Sequence, residues 1–504
     1  MDLVITFGMV GVFFLVIIGV LYLARLRDAN FSEYAVGGRS FNGFYVAMSF
    51  LNTWWPGTTF IAFAGLTAAS GVIGFYALLY SLLTVILMYL IAKRVWVWGA
   101  RNDVKTQPDL LALRFDSKLI RPVAAIINVV STFPWVVLGM QALGLVFRYL
   151  SLGHLTVVGA MLLGIGLIGV RQIWTIQMGM RGVVITDMIQ GLVAYVIGAL
   201  VIIGVLVFFF HGFGPLNSLS PAMYRLPGPG SALGPLYFFS LVATGALGGW
   251  SWGSIFVRLF TSDGVKSLKH SAFVGLPLSF VFFTLLSLLA LSGASLPAVA
   301  KAPQEVWFIV NQQAGGIWLL ALAGVIVFAA TMGNIDGNIQ ALGAIMANDI
   351  AGVYVKLSDH ALSTVAKLSM AGLVVVSVIT AVFTFNLPNL VSLAQMSYQG
   401  IIQLAVPQFV GIFWKGGNRY GANAGLIVGF LSAVILTYIY PDLVVPGLGG
   451  ITTGVIGLVL NLLIYVVVGL LVPATSGEVS RVTRLFQSAR LPQTVVVPDP
   501  ATGK

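Results

Sequence analysis

Two aspartates stand where a carboxylate is costly. Of fifteen acidic residues, only Asp187 and Asp336 fall within long apolar stretches, and Asp349 sits at the end of one. A carboxylate inside a membrane costs roughly a few kcal/mol, so such a residue is a functional candidate by default. Its chemistry suits holding a cation, or loading a proton on one side and releasing it on the other. Asp187 lies six residues past Arg181, about 9 Å along a helix. Asp336 lies fourteen residues from the end of its stretch, about 21 Å in. Ordinary structural roles compete with these: an ion pair of Asp187 with Arg181 or Arg171, and a hydrogen bond from Asp336 to a neighbouring helix. Gly333, Gly337 and Ala341 recur every fourth residue around Asp336, a small-residue stripe that lets another element approach. Asn334 and Asn338 form a polar stripe beside it.

Two apolar stretches are interrupted in matching fashion. The first contains Asn52, Thr53, Trp54, Trp55, Pro56, Gly57, Thr58 and Thr59; the second contains Gly245, Gly248, Gly249, Trp250, Ser251, Trp252, Gly253 and Ser254. Proline removes a helix donor and clashes with the preceding turn. Paired interruptions at corresponding positions are the best sequence pointer to a transporter's binding site, although glycine and serine also serve plain helix packing. The candidates to contact a solute are Thr53, Trp54, Thr58, Thr59, Trp250, Ser251, Trp252 and Ser254. Trp135 and Gln141 join them from a third stretch, and Gln395, Tyr398 and Gln399 from a fourth. No Lys or Arg reads as deep in these segments, so a dicarboxylate lacks a cationic clamp. A monocarboxylate can be held by half-helix N-termini and threonine hydroxyls. A neutral polyol or sugar can instead stack on the tryptophans. The balance leans to a small monocarboxylate.

The elements that position these residues follow from composition. The chain has 504 residues, 59% hydrophobic and 8% charged, against about 25% charged in a soluble domain. A spanning helix needs roughly 20 apolar residues. Thirteen stretches qualify, at 3–24, 43–71, 72–96, 119–149, 154–173, 182–210, 236–258, 271–294, 316–350, 362–386, 388–414, 420–440 and 450–472. An all-α membrane protein is expected, because backbone exposed to lipid must satisfy its own hydrogen bonds. With the N-terminus outside, twenty-three basic residues fall on cytoplasmic connections or the tail and three outside. That bias fixes the expected orientation in a cell inner (plasma) membrane, C-terminus inside. It counts Arg171 and Arg258 as cytoplasmic, and Arg25, Arg27 and Lys504 with them.

The two interrupted stretches lie five apart, and an odd-numbered repeat inverts its successor. The expected organisation is a first helix and loop (1–42), inverted repeats at 43–210 and 236–414, two further helices (415–472) and a flexible tail (473–504). The net charge of +11 is scattered between spans, which speaks against nucleic acid. Cysteine is absent, and the four histidines show no transition-metal spacing. No cofactor or enzymatic constellation is apparent. A channel or a transporter-like sensor is the competing class, and oligomeric state is not legible.

Several segments in order resemble the sodium:solute symporter family. They are 31–40 (FSEYAVGGRS), 106–115 (TQPDLLALRF), 179–190 (GMRGVVITDMIQ), and 407–415 (PQFVGIFWK) followed by 421–425 (GANAG). The resemblance covers roughly residues 1–472. It implies a leucine-transporter-type core of five-plus-five inverted repeats, alternating access and a sodium-coupled small organic solute. It further implies a sodium site built from carbonyls of Asn52, Trp55 and Ala330 and from side chains at Gly333 and Asn334. A second site would pair Asp187 with Asp336 and Gly337. The family's Ser/Thr pair is missing at Gly333 and Asn334, and Trp54 stands where some members carry an acid. The coupling ion therefore reads as Na+, with Asn334 and Asp336 replacing the hydroxyls, or as H+, carried by Asp336 and secondarily Asp187.

Overall fold

The structure, a computed structural model, describes residues 1–24, 30–385 and 390–490, with side chains left aside at 390–394. Arg25, Arg27 and Lys504 lie outside the described residues. Those described residues form helices and connecting turns, with isolated bridges such as Phe41 to Ser262 but no extended strand. Nine helical runs among them are long and apolar enough to cross a membrane by length and composition. That is fewer than the thirteen expected stretches, for local reasons. Val157–Phe209 holds two stretches in one run, and Thr59–Arg101 joins half of one to the next. The two near 236–258 and 388–414 break into pieces too short to qualify.

Glycine makes the sharp bends. The Val157–Gly191 helix turns back at Gly179 (φ 61°), and the Val306–Ile345 helix bends at Gly316 (φ 59°), a left-handed backbone that other residues resist. Beyond that bend the second helix is buried almost continuously from Leu320 to Ile345 and forms the centre of the molecule. Side chains such as Leu15, Leu200, Phe208, Phe273 and Leu470 face outward, as lipid contact requires.

The first interrupted stretch is a broken helix. Asn42 caps its start, its Oδ1 accepting from Phe44 N (3.1 Å) and Tyr45 N (3.2 Å). Gly43–Trp54 then runs inward and stops at Trp55 (φ −110°, ψ 89°), ahead of Pro56. The chain resumes as a wide turn over Thr59–Phe63 and a helix over Ala64–Ser70. The second stretch runs Tyr237–Gly249, unwinds at Trp250–Trp252, and resumes over Gly253–Phe256 and Arg258–Thr261. Its freed groups find partners. Gln107 and Gln408 donate to the Trp250 carbonyl (3.2 and 3.0 Å), and Asn128 Oδ1 accepts from Gly253 N at 2.7 Å. In the preceding loop, Arg39 reaches the carbonyls of Val104 (2.6 Å) and Phe260 (3.3 Å). Burial pushes its guanidinium down to about 10, still charged at neutral pH.

The tail differs from expectation. Ser476–Ser488 forms a helix rather than a flexible end, because it is amphipathic and finds a docking surface. Phe486 packs edge-on against Trp98 (5.3 Å), Trp98 Nε1 donates to Leu485 O (2.8 Å), and Arg481 Nη1 donates to Leu113 O (2.8 Å). Residues 491–504 lie outside the described residues.

Where the first helix breaks, Gly57 packs directly on the central helix. A Cβ there would lie 1.9 Å from Thr331 Oγ1 and 2.7 Å from the Val327 carbonyl. Gly57→Val is expected to destabilise the fold by about 1–3 kcal/mol or more through overpacking. The check is the thermal midpoint of the detergent-purified variant, which falls well below that of the parent.

Candidate functional site

The two breaks face each other across a small cavity of about 20 Å³. Thr53, Trp54 and Pro56 come from the first break, and Trp252, Ser254 and Ile255 from the second. Trp135, Asn334, Asn338 and Tyr398 close it. The cavity has room for about one water molecule, so the lining residues close tightly on one another and a solute needs the two breaks to part. Trp135, Trp252 and Tyr398 meet pairwise edge-to-face, with centroids 5.5–6.1 Å apart. Trp54 stands edge-on to Tyr80 at 5.6 Å. Three lining groups are buried without a hydrogen-bond partner: Thr53 Oγ1, Trp54 Nε1 and Trp135 Nε1. Buried polar groups are normally paired, and the two indoles can only donate. The cavity therefore offers donors to a ligand rich in acceptors.

The other solute candidates lie elsewhere. Gln395 and Gln399 line a smaller cavity with Tyr76, Tyr80 and the shared Tyr398, and Gln395 also borders a wider one with Asp442. Gln141 is tied to Thr384 Oγ1 (3.0 Å) and Trp250 to the Thr84 carbonyl (2.7 Å), with its ring stacked on Phe50 (5.0 Å). Ser251 bonds back to Leu247 O at 3.0 Å. Thr58 and Thr59 are buried, with unpartnered hydroxyls, away from the lining.

The carboxylates occupy two buried ion pairs. Asp187 accepts from Ser49 Oγ (2.6 Å), Asn52 Nδ2 (2.9 Å) and Arg258 Nη2 (3.2 Å). Asp336 pairs with Arg171 and accepts from Gln172 Nε2, while Arg171 Nη2 donates to Thr186 Oγ1 at 2.9 Å. All four charged side chains are 0% exposed. This corrects the sequence reading, in which Arg171 and Arg258 belong to polar connections and no cation lies deep. The helix carrying Arg171 runs past its expected end at 173 to the bend at Gly179, and the second broken helix runs past 258 to Thr261, so neither arginine marks a helix end and both guanidiniums are buried. Asp187 thus pairs with Arg258, not with Arg181 or Arg171. Two buried carboxylates call for two counter-charges, but chain spacing does not single out these arginines, since Arg181 stands nearest Asp187 in the sequence.

The remaining ion candidates are engaged by neighbouring groups, although Asn334 also lines the cavity. The Trp55 carbonyl accepts from Tyr195 Oη. Asn334 Nδ2 donates to Thr53 O (2.7 Å), and its Oδ1 accepts from Asn338 (3.2 Å). Ala330 is buried one turn earlier on the same helix. The Asn52 amide lies against Gly333, where a Cβ would sit 1.7 Å from Nδ2. Arg258 lies likewise against Gly337, where a Cβ would sit 2.7 Å from Nη2.

A family model described as the sodium:solute symporter family matches residues 34–429. Among curated relatives, a monocarboxylate transport permease protein of Rhizobium johnstonii is 24% identical, covering 92% of this chain and 96% of its own length. A sodium/pantothenate symporter of Haemophilus influenzae is 24% identical (82% and 86%), and a high-affinity proline transporter of Bacillus subtilis 26% (82% and 88%). Among solved structures, a Na+-coupled sialic acid symporter in a substrate-bound outward-open state superposes with a TM-score of 0.77 at 19% identity. It covers 94% of this chain and 98% of its own, and shows the same fold.

Removing one member of a buried pair strands the other. Asp336→Ala is expected to cost about 3–5 kcal/mol, whereas Asp336→Leu combined with Arg171→Met is expected to recover most of that loss. Thermal unfolding of the two purified variants side by side measures the difference.

Proposed function

The chain belongs to the sodium:solute symporter family, and from that premise we propose that it takes up a small monocarboxylate by alternating access, coupled to protons. Cation-coupled symport of a small solute follows from the family. The solute class rests on the cavity. A compact aromatic-walled space with unpartnered indole and hydroxyl donors suits a carboxylate, whose oxygens accept only, and charge-assisted bonds of that kind are strong. The similarity to a monocarboxylate permease agrees with this. In the proposed topology the first helix begins outside, the tail is cytoplasmic, and residues 43–210 and 236–414 are the inverted repeats. The cavities that share Tyr398 and then Gln395 would lead outward from the centre to the wider space at Asp442.

The choice of proton over sodium rests on how the expected cation ligands are engaged. The Trp55 carbonyl is taken by Tyr195, Gly333 offers no side-chain oxygen, and an amide N–H group stands in front of it. A proton needs no such ligand shell, and Asp336 or Asp187 accepts one when its arginine swings away from the pair. Asp336→Asn separates the two carboxylates: full proton-driven accumulation by that variant would rule out Asp336 as carrier.

In proteoliposomes, labelled acetate, lactate and pyruvate are expected to accumulate under an inward proton gradient and not under an inward sodium gradient alone. Sodium-driven accumulation would reverse the choice of ion, and no accumulation of any of the three would reject the solute class. Trp135→Phe removes one donor while keeping an aromatic wall. It is expected to raise the half-saturating solute concentration about tenfold, as fits a lost hydrogen bond to a charged group.

A further inference from the structure

Arg258 sits in a shell of oxygens drawn from three segments. Its Nη2 faces Asp187 Oδ2 (3.2 Å), its Nε donates to Ser49 Oγ (3.2 Å), and its Nη1 donates to the Ser254 carbonyl (2.7 Å). A carboxylate, a hydroxyl and the backbone carbonyl four residues earlier thus surround one group, and they are ligand types that hard inorganic cations take. Here the place is filled by a cation on a covalent leash. Gly337 makes room for it: a Cβ there would lie 2.7 Å from Nη2 and 2.8 Å from Thr53 Oγ1. Thr53 lines the central cavity, so the guanidinium lies directly beneath the cavity floor. One turn earlier, Gly333 admits the Asn52 amide in the same way.

We propose that Arg258 is a resident cation, which takes the place of a mobile inorganic cation between Asp187, Ser49 and the Gly337 surface. The proposal deepens the reading of the chain as a cation-coupled carrier and rests on it. Charge accounting supports it. Asp187 is matched by Arg258 and Asp336 by Arg171, so neither carboxylate carries charge left over for sodium. A guanidinium also cannot leave with the solute. What a sodium ion does by binding and dissociating, this side chain does only by swinging between partners. Because a buried carboxylate stripped of its partner seeks another cation, removing the side chain should convert the crevice into a sodium site.

The experiment uses the full-length purified protein without any solute, so a wrong solute class does not affect it. Thermal unfolding is followed in sodium chloride, lithium chloride and choline chloride at equal ionic strength. The parent is expected to unfold at the same temperature in all three. Arg258→Ala is expected to unfold earlier in choline and to gain a saturable, sodium-dependent rise of a few degrees, as ligand binding to the folded state produces. Arg258→Lys, which keeps the charge, is expected to remain indifferent to sodium. Should Arg258→Ala fail to fold, titrating the parent with sodium while following the fluorescence of its tryptophans decides the matter, and no saturable change is expected. A saturable sodium response in the parent, or a folded Arg258→Ala that gains none, would overturn the proposal.

Discussion

A charge or carbonyl placed beyond the reach of water must be matched from within the protein, and the core of this molecule is organised by that requirement. Asp187 and Asp336 each hold a guanidinium, and each pair is completed by neutral donors: Ser49 and Asn52 for one, Gln172 for the other. Those partners come from elements far apart in the chain. The two networks therefore do more than settle electrostatics. They tie both broken helices and the Val157–Gly191 helix to the central helix.

The same requirement shapes the breaks. Unwinding a helix releases carbonyls, and here glutamine, asparagine and tyrosine side chains collect them: Gln107 and Gln408 at Trp250, Asn334 at Thr53, Tyr195 at Trp55. Side-chain groups are less fully paired: Thr53, Trp54 and Trp135 at the cavity, and Thr58 and Thr59 away from it, have no partner. The three at the cavity are the donors on which the proposed solute site rests.

Much of this was legible in the sequence, for reasons that differ by residue. Apolar length set the helices, and Pro56 and the Gly248–Gly253 segment located the breaks, because both effects are local. Thr53, Trp54, Trp135, Trp252, Ser254 and Tyr398 were named as solute candidates and share one cavity. Trp250 and Gln141 have the same composition signal yet serve packing and backbone bonding, a distinction only tertiary neighbours make. The arginines were misplaced because the positive-inside rule treats a basic residue near a span end as a topological marker. It carries no information on which way a long side chain turns when a buried carboxylate lies within reach. The tail was read as flexible because a short amphipathic segment shows no partner until the surface around Trp98 exists.

The close fit between Asn52 and Gly333 has a consequence for descent. A serine at 333 would place its Cβ 1.7 Å from the Asn52 amide, so a hydroxyl is admitted there only once Asn52 has become smaller. Shrinking Asn52 first takes a donor from Asp187 and leaves a void against the glycine. Each substitution is harmful alone and tolerable only with the other, as contacting residues with strong coupling are. Gly337 and Arg258 stand in the same relation. A chain passing by single substitutions between a hydroxyl-lined and a plugged crevice would therefore meet a destabilised intermediate at each of these two pairs of positions.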